Sequence, residues 1–240
     1  MVNNYLIYIS ITATMLIGLF LTIFNNIDLN FSELFYEVGQ GFIYENNWLV
    51  RGAFTVVPAL TKLLITFCIV NLILQSASDS NPGVLKRIAT SWSCYLVVSA
   101  LIGPGLIVNY IFKENFGRAR PSQISYFHGT KNFTQAFVMT DQCTSNCSFS
   151  SGHAAMAYYF SALAYTSALL KRNKPIKNAD KSSNDYNYFT IIYVTALLFG
   201  SAVGFSRILM GGHFLSDVVI SGSLVLIINH LLFIWWTKQN

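Results

Sequence analysis

The sequence predicts an all-α integral membrane protein, a bundle of six transmembrane helices. Only 10% of its 240 residues are charged, whereas a soluble globular domain carries about 25%. Five stretches contain no Asp, Glu, Lys or Arg and are long enough to cross a bilayer. Because unpaired backbone polar groups cannot face lipid, such stretches form helices. These stretches are Tyr5–Phe24, Ala89–Phe112, Ala154–Leu170, Tyr188–Ser206 and Val218–Trp236.

A sixth span, second in chain order, covers about Gly52–Gln75. It is apolar but contains Pro58 and Lys62. The N-terminal stretch lacks the basic flank and small-residue cleavage site of a signal peptide, so we expect it to remain as the first span. The sequence has no internal repeat and no soluble segment of domain size. We therefore predict one membrane domain over residues 1–240.

The net charge of +5 is unevenly distributed. Five basic residues crowd the loop Lys171–Lys181, whereas Asn25–Val50 carries four acidic residues and no basic one. Cytoplasmic loops of membrane proteins are enriched in Lys and Arg. The pattern therefore predicts that the Lys171–Lys181 loop and both termini are cytoplasmic, and it indicates topology, not a nucleic-acid partner. Nothing in the sequence indicates a protein partner.

Three polar clusters fall on the opposite, non-cytoplasmic side: Lys113–Pro121, Ser150–His153 and Ser206–Asp217. Taken singly, each has an ordinary explanation. Basic residues at span ends extend toward head groups, Ser-Ser-Gly before an apolar run caps a helix, and a lone histidine is more often hydrogen-bonded than catalytic. Taken together, ionisable groups gathered at one membrane face are costly and indicate a functional site.

The first part of the predicted chemistry is anion binding. Lys113, Arg120 and Arg207 supply positive charge, and an arginine fork can hold two phosphate oxygens at once. Ser151-Gly152 at the start of a helix offers free backbone N–H groups at the positive end of the helix dipole. The absence of a side chain at Gly152 lets the backbone approach a ligand closely. These residues predict a site for a phosphoryl group.

The second part is nucleophilic catalysis by a histidine. Asp217 follows His213 by four residues, so one helical turn places its carboxylate beside the imidazole. Such a carboxylate fixes the tautomer of the ring and stabilises the cation formed during attack. His153 is then available to protonate the leaving oxygen and later to activate water. We find no carboxylate cluster that would hold Mg²⁺ or Zn²⁺, so we predict a mechanism without metal or other cofactor.

The arrangement of these residues resembles the three-part signature of the type-2 phosphatidic acid phosphatase superfamily. Ser150 departs from it, because the family commonly has proline before Ser-Gly-His. The resemblance implies a six-helix bundle, a phosphohistidine intermediate, and phosphate coordination by the residues that match Lys113, Arg120, Ser151, Gly152 and Arg207. The matching pattern spans residues 113–217 and reads Lys113-x6-Arg120-Pro121, Ser151-Gly152-His153 and Ser206-Arg207-x5-His213-x3-Asp217.

Three longer stretches are similar to bacterial lipid A phosphatases, more to the 4′-phosphatase kind than to the 1-phosphatase kind. They are Ile102–Lys113, Cys143–Phe149 and Gly211–Asp217. This resemblance implies hydrolysis of a lipid A phosphate at a site that faces the periplasm from the bacterial inner membrane. Undecaprenyl pyrophosphate and phosphatidylglycerophosphate are alternative substrates for the same chemistry. A vanadate-dependent peroxidase is typically soluble, and an anionic-lipid transporter or binding protein needs neither histidine.

The sequence also supports predictions for two cysteines, an arginine and a histidine that are not signature residues. Cys143 and Cys147 lie on the outer side, where disulfides persist, and their spacing allows a bond; two free thiols are the alternative. Arg118, inside the first cluster, is a candidate contact to a second phosphate or a lipid head group. We expect His230, in the middle of a span, to be hydrogen-bonded between helices.

Overall fold

The computed structural model describes residues 2–77, 83, 87, 88, 90–172 and 184–239, and within them α-helix predominates. Side-chain caps begin several helices, as when Asn3 accepts a hydrogen bond from Leu6 N and Ser91 accepts one from Cys94 N. In chain order the α-helices are α1 (Asn4–Ile23), α2 (Asn26–Glu33), α3 (Trp48–Ala77), α4 (Trp92–Ala100), α5 (Gly152–Tyr159), α6 (Ala162–Arg172), α7 (Asn184–Leu209) and α8 (Leu215–Gln239).

Helix α4 continues without a break as a π-helix over Leu101–Lys113. This wider helix contains Pro104, which has no N–H to donate, and the side chain of Asn109 donates to the carbonyl of Pro104 at 2.6 Å. Extended π-helices are rare, and those that occur frequently mark functional sites. Here the π-helix ends at Lys113, the first residue of the predicted anion site.

Among the described residues, five helices are long and apolar enough to cross a membrane. The predicted fourth span is instead two consecutive helices, α5 and α6, separated at Phe160 and Ser161. Each is too short to span a bilayer alone, so a bundle of six spans remains a prediction. The five long spans are Asn4–Ile23, Trp48–Ala77, Trp92–Lys113, Tyr188–Leu209 and Leu215–Lys238.

Helix α8 lies near the centre of the bundle, and α1 and α3 lie at its periphery, since these two bury the smallest share of their surface. Close packing of the central helices depends on small residues, as is usual between membrane helices. A Cβ atom on Gly200 of α7 or Gly222 of α8 would lie 2.6 or 2.8 Å from the ring of Tyr158. The two glycines therefore let α5 approach both neighbours.

One end of the bundle carries the connections at residues 25–47, 114–151 and 210–214, and we call it the loop end. It contains a two-stranded antiparallel hairpin, β1 (Tyr36–Glu37) and β2 (Gly41–Phe42). Phe42 packs in a small apolar cluster with Phe127 and Phe214. Gly211 has a φ of +61°, and a Cβ atom there would lie 2.3 Å from the Phe42 ring. The hairpin is thereby fixed against the segment that carries His213.

The loop predicted to be cytoplasmic, Lys171–Lys181, lies mostly outside the described residues, as does Lys86.

Candidate active site

A cavity of about 240 Å³ opens at the loop end of the bundle. Its lining comes from α3, the end of the π-helix, the segment that follows it, the first turn of α5, the end of α7 and the α7–α8 connection. Residues predicted from all three polar clusters therefore meet around one space. Among the described residues, the lining includes Glu45, Phe54, Lys113, Arg120, Ser122, Asn146, His153, Arg207, Met210, Gly212 and His213.

Three cationic side chains line this cavity. Lys113 and Arg207 are almost fully buried, and burial lowers the pKa of Arg120 below its ordinary value. Arg120 is held by a hydrogen bond from its Nη2 to the carbonyl oxygen of Asn146 at 2.8 Å. Three cations around one cavity, two of them buried, favour an anionic ligand, because their like charges otherwise repel one another without compensation.

Arg207 retains hydrogen-bonding capacity that the protein does not use. Its Nη1 donates to the sulfur of Met210 at 3.0 Å, while its buried Nε has no partner among the described residues. A buried polar group without a partner requires an explanation. Gly212 gives the guanidinium its space, since a Cβ atom there would lie 2.4 Å from Arg207 Nη2. The free Nε is suited to an oxygen ligand in the cavity.

His213 is buried, and its ring nitrogen Nδ1 lies 2.7 Å from the carbonyl oxygen of Ser148. A carbonyl oxygen only accepts hydrogen bonds, so Nδ1 carries the proton in the neutral ring and Nε2 has the free lone pair. Burial lowers the pKa of His213 to about 3, and the nearby charges of Arg207 and Lys113 act in the same direction. The imidazole is therefore neutral at physiological pH.

Asp217 lies beside the His213 ring as predicted, but it does not hydrogen-bond the ring and does not orient it directly. Asp217 Oδ2 lies 3.8 Å from Nδ1, which is beyond hydrogen-bond distance. Oδ2 instead accepts from the hydroxyl of Ser148 at 2.5 Å and from the backbone N–H of Phe214 at 2.8 Å. The backbone carbonyl of Ser148, not the carboxylate, orients the imidazole, because Ser148 lies between the two groups. Asp217 acts on the ring indirectly, by fixing Ser148, and directly through its negative charge.

The expectation that Arg118 contacts a second phosphate or a head group is wrong. Its side chain is fully buried and forms ion pairs with Asp28 at 2.8 Å and with Asp217 at 2.5 Å. Ser216 joins the same network through hydrogen bonds from its N–H and hydroxyl to Asp28, at 2.9 and 2.5 Å. Burial opposes the charge on Arg118, but Asp217 and Asp28 raise the pKa of its guanidinium. Arg118 therefore holds the Asp217 carboxylate in place through a buried ion pair.

His153 lies in the first turn of α5 and stacks on the ring of Phe54, with centroids 4.3 Å apart and planes inclined by 23°. The guanidinium of Arg207 lies over the same ring, 4.6 Å from its centroid. An aromatic face attracts a cation at this distance. Phe54 of α3 thus contacts both a candidate acid and a candidate phosphate ligand.

Ser151 and Gly152 lie at the start of α5, but neither is among the described residues that line the cavity. The Ser151 hydroxyl accepts from Ala154 N at 3.5 Å and so caps the helix. A Cβ atom on residue 152 would lie 2.5 Å from Oδ1 of Asn109, so the absence of a side chain there accommodates the π-helix. Any contribution of this pair to anion binding comes from backbone N–H groups and the helix dipole.

Cys143 and Cys147 form a disulfide, with Cα atoms 5.6 Å apart. The short loop that the bond closes contains Asn146, whose carbonyl oxygen accepts the hydrogen bond from Arg120. The disulfide therefore constrains a partner of the anion site.

The other histidines lie elsewhere. His230 is within the bundle, where its Nδ1 is 3.4 Å from the hydroxyl of Tyr165. His128 lines a separate, larger cavity at the loop end. Among the described residues, no group of three or more His, Cys, Asp or Glu side chains is arranged to hold a metal ion.

With this geometry established, comparison with known proteins identifies the family. Residues 92–240 match the PAP2 superfamily. The chain belongs to the PAP2 superfamily.

Three relatives similar to this PAP2 chain are named lipid A 4′-phosphatases. That of Francisella tularensis subsp. novicida is 30% identical over 217 residues, which are 87% of this chain and 86% of the relative. That of Rhizobium etli is 28% identical and covers 82% and 74% of the two chains; that of Rhizobium leguminosarum is 29% identical and covers 82% of each.

A solved structure is also similar: a transmembrane PAP2-type phosphatidylglycerolphosphate phosphatase from Bacillus subtilis, 18% identical, with a TM-score of 0.45 and coverage of 95% and 96% of the two chains. Family membership, the curated relatives and the long apolar helices make this PAP2 chain a phosphoric ester hydrolase and a multi-pass bacterial membrane protein, a membrane lipid phosphatase.

Three residues of the site were not singled out from the sequence of this PAP2 chain. Phe54 lies within an apolar span and has no distinguishing pattern. Ser148 contributes chiefly through its carbonyl, which any residue would provide. Asp28 was counted only as part of an acidic loop. Asp28 is buried in α2, whereas Glu33, Glu37 and Glu45 are exposed, and this difference arises from the fold and has no signal in the sequence.

Proposed function

We propose that this chain hydrolyses the 4′-phosphate of lipid A through a phosphohistidine intermediate on His213. One observation carries the proposal. His213 lies in a cavity lined by three cations and a second histidine, and its Nδ1 is committed to the Ser148 carbonyl. That arrangement leaves Nε2 as a neutral nucleophile in a site suited to a phosphate dianion.

In the first step, the Nε2 lone pair of His213 forms a bond to phosphorus while the bond from phosphorus to the ester oxygen breaks. The leaving oxygen takes a proton from His153. Burial and the charges of Arg207 and Lys113 lower the pKa of His153 to about 4, and the negative charge of the bound phosphate raises it again, so that the imidazole is protonated in the complex. In the second step, His153 accepts a proton from water as the water oxygen attacks phosphorus. The bond from phosphorus to Nε2 then breaks, releasing inorganic phosphate and restoring the neutral His213.

Charge stabilisation in both steps comes from the protein. Phosphoryl transfer depends mainly on in-line positioning and on stabilising charge at the phosphoryl oxygens. Lys113, Arg120 and Arg207 supply this charge, with Arg207 Nε free to donate, and the first turn of α5 at Ser151 and Gly152 adds its dipole. We therefore propose that the reaction requires no metal ion.

The proposed substrate and orientation rest on different support. The relatives named lipid A 4′-phosphatases favour lipid A, and the exposed apolar surface of α1 and α3 suits a substrate that reaches the site from the lipid layer. The absence of Lys and Arg from residues 25–50 and their concentration in Lys171–Lys181 favour a periplasmic loop end, with both termini cytoplasmic. We propose that the chain acts as a single membrane domain in the bacterial inner membrane.

The test is phosphate release from bis-phosphorylated lipid A by the protein purified in detergent. Wild type should release phosphate in the presence of EDTA, and vanadate should inhibit it as a phosphate mimic. Tandem mass spectrometry of the product should locate the remaining phosphate at position 1. His213→Ala should release none. Loss of activity in EDTA with recovery in Mg²⁺, or a preference for undecaprenyl pyrophosphate, would contradict the proposal.

Orientation needs a separate measurement. Single cysteines introduced at Thr130, which is exposed at the loop end, and at Asn178 should differ in labelling by a membrane-impermeant reagent in cells with a permeabilised outer membrane. The cysteine at position 130 should react and the one at position 178 should not. The reverse result would place the loop end in the cytoplasm and remove periplasmic substrates from consideration.

A further inference from the structure

A second cavity, of about 600 Å³, adjoins the phosphate cavity at the loop end. Glu45 and Ser122 line both spaces, so a molecule in one can extend into the other. The second cavity is formed by the β1–β2 hairpin and the segment around Phe127. Its volume falls within the range of about 300–1,000 Å³ that is usual for small-molecule sites, and it exceeds what a phosphate group needs.

Aromatic rings form much of its wall. The rings of Tyr36 and His128 are stacked, with an interplanar angle of 28° and a centroid distance of 6.1 Å. Behind them, Phe42 and Phe127 are buried and in edge-to-face contact at 5.4 Å. Since these rings pack on one another and on the apolar cluster at the loop end, the wall has a defined shape without a ligand.

Polar groups complete the lining. Gln40 and Ser122 can both donate and accept hydrogen bonds, and Glu45 accepts them. Phosphate is a poor ligand for this space, because the Glu45 carboxylate repels it and, among the described lining residues, none is Lys or Arg. An acyl chain is equally unsuited, since it would bury Gln40 and Glu45 without hydrogen bonds. The chemistry favours a neutral group that has apolar faces and a rim of hydroxyls.

A hexose ring has this character: its C–H faces pack on aromatic rings, and its hydroxyls bond amide, carboxylate and hydroxyl groups. We infer that the second cavity is a carbohydrate subsite, which holds a sugar ring of the glycolipid whose phosphate occupies the first cavity. This inference rests on the proposed function and assigns the β1–β2 hairpin a role in substrate selection.

The test compares two substrates in one set of variants. Lipid A would occupy both cavities, whereas p-nitrophenyl phosphate is small enough to react from the first alone. Gln40→Ala and His128→Ala alter exposed side chains that line only the second cavity, so the fold should be retained. Each should lower kcat/KM for lipid A about tenfold, in line with the loss of one or two polar or stacking contacts, and change it less than about twofold for p-nitrophenyl phosphate.

The matched control is Gln135→Ala, which removes an exposed amide side chain at the loop end that is not among the described residues lining either cavity. This control should leave kcat/KM unchanged for both lipid A and p-nitrophenyl phosphate. If Gln40→Ala and His128→Ala lower kcat/KM equally for both substrates, or for neither, the inference of a carbohydrate subsite is wrong, while the proposed function is unaffected. A wild-type protein that cleaves p-nitrophenyl phosphate but not lipid A would overturn both.

Discussion

Ser148 lies between His213 and Asp217, and its carbonyl oxygen is 2.7 Å from Nδ1 of the imidazole. Its hydroxyl donates to Asp217 at 2.5 Å. The carboxylate therefore acts on the ring through an intermediate residue and through its negative charge. A main-chain carbonyl that accepts from Nδ1 fixes the tautomer of the ring, a role that a carboxylate fills in other sites.

We expect His213 to remain neutral in the ligand-free protein from about pH 8 to about pH 5, because burial lowers its pKa to about 3, against about 6.5 for a free histidine. A lowered pKa means that the ring gains its proton only as the pH approaches that value. Nitrogen NMR of histidine-labelled protein, assigned with His213→Ala, should show one protonated and one free nitrogen throughout. A transition to the doubly protonated ring near pH 6.5 would contradict this expectation.

The two histidines should differ in how their loss affects an activated substrate. With p-nitrophenyl phosphate the leaving group needs no proton, so His153→Ala should still phosphorylate His213 and then stall, because no base activates water. His213→Ala should form no intermediate. Labelled substrate with a quench that avoids acid, which destroys phosphohistidine, measures both. Label on His153, or an intermediate in His213→Ala, would reverse the assigned roles.

Arg207→Lys should lower kcat/KM at least about tenfold, although the charge is retained. Lysine lacks the planar fork that holds two oxygens, and it has no counterpart of the free Nε. Arg51→Lys is the matched control, since Arg51 is exposed one turn before Phe54 in the same protein. Similar losses in the two variants would mean that general basicity at this end of the bundle is required, and not a specific site.

Phe54→Leu should reduce kcat about three- to tenfold, corresponding to roughly 0.5–1.5 kcal/mol of ring contacts with His153 and Arg207. The substitution keeps an apolar side chain in α3, so the helix itself should be unaffected. Phe67→Leu, which changes an exposed ring on the same helix, provides the comparison. If the two variants have equal turnover, the Phe54 ring has no part in positioning these residues.

Asp28→Asn should both destabilise the protein and slow catalysis. It leaves buried Arg118 with Asp217 as its one remaining acidic partner among the described residues, and disrupting a buried ion pair costs about 3–5 kcal/mol. We expect a lower melting temperature and a lower kcat with KM nearly unchanged, because the effect reaches His213 through Asp217 and Ser148. Asp141→Asn, at an exposed aspartate of the loop end, is the control. Unchanged kcat in a destabilised Asp28→Asn protein would mean that the network is structural alone.

The sequence was sufficient to predict the helical membrane architecture and the residues of three separate segments that meet at the cavity. These predictions succeed because membrane helices have a strong compositional signal, and because Lys113, Arg120, His153, Arg207 and His213 are ionisable in places where charge is costly. The break at Phe160 and Ser161 was not predicted, since both residues are compatible with an apolar helix.

The roles of Arg118 and Asp217 depended on contacts that sequence spacing does not specify. Four residues separate His213 from Asp217, but His213 precedes the start of α8, so the spacing of a regular helix does not apply. Arg118 stands two residues from Arg120 and has the same side chain, yet only the fold determines that one is buried against Asp28 while the other lines the cavity. Contacts of this kind join segments far apart in the sequence.

The match to the family begins at residue 92, yet Asp28 of α2 neutralises a buried guanidinium in the signature region. Phe54 of α3 likewise contacts two signature residues. A hybrid that joined the first third of a relative to residues 92–240 of this chain would keep the reactive groups, but it would lose their counter-ion and ring wherever that relative has other residues in place of Asp28 and Phe54. Viable recombination between relatives is therefore limited to crossover points before residue 28, or to partners that carry the same two side chains.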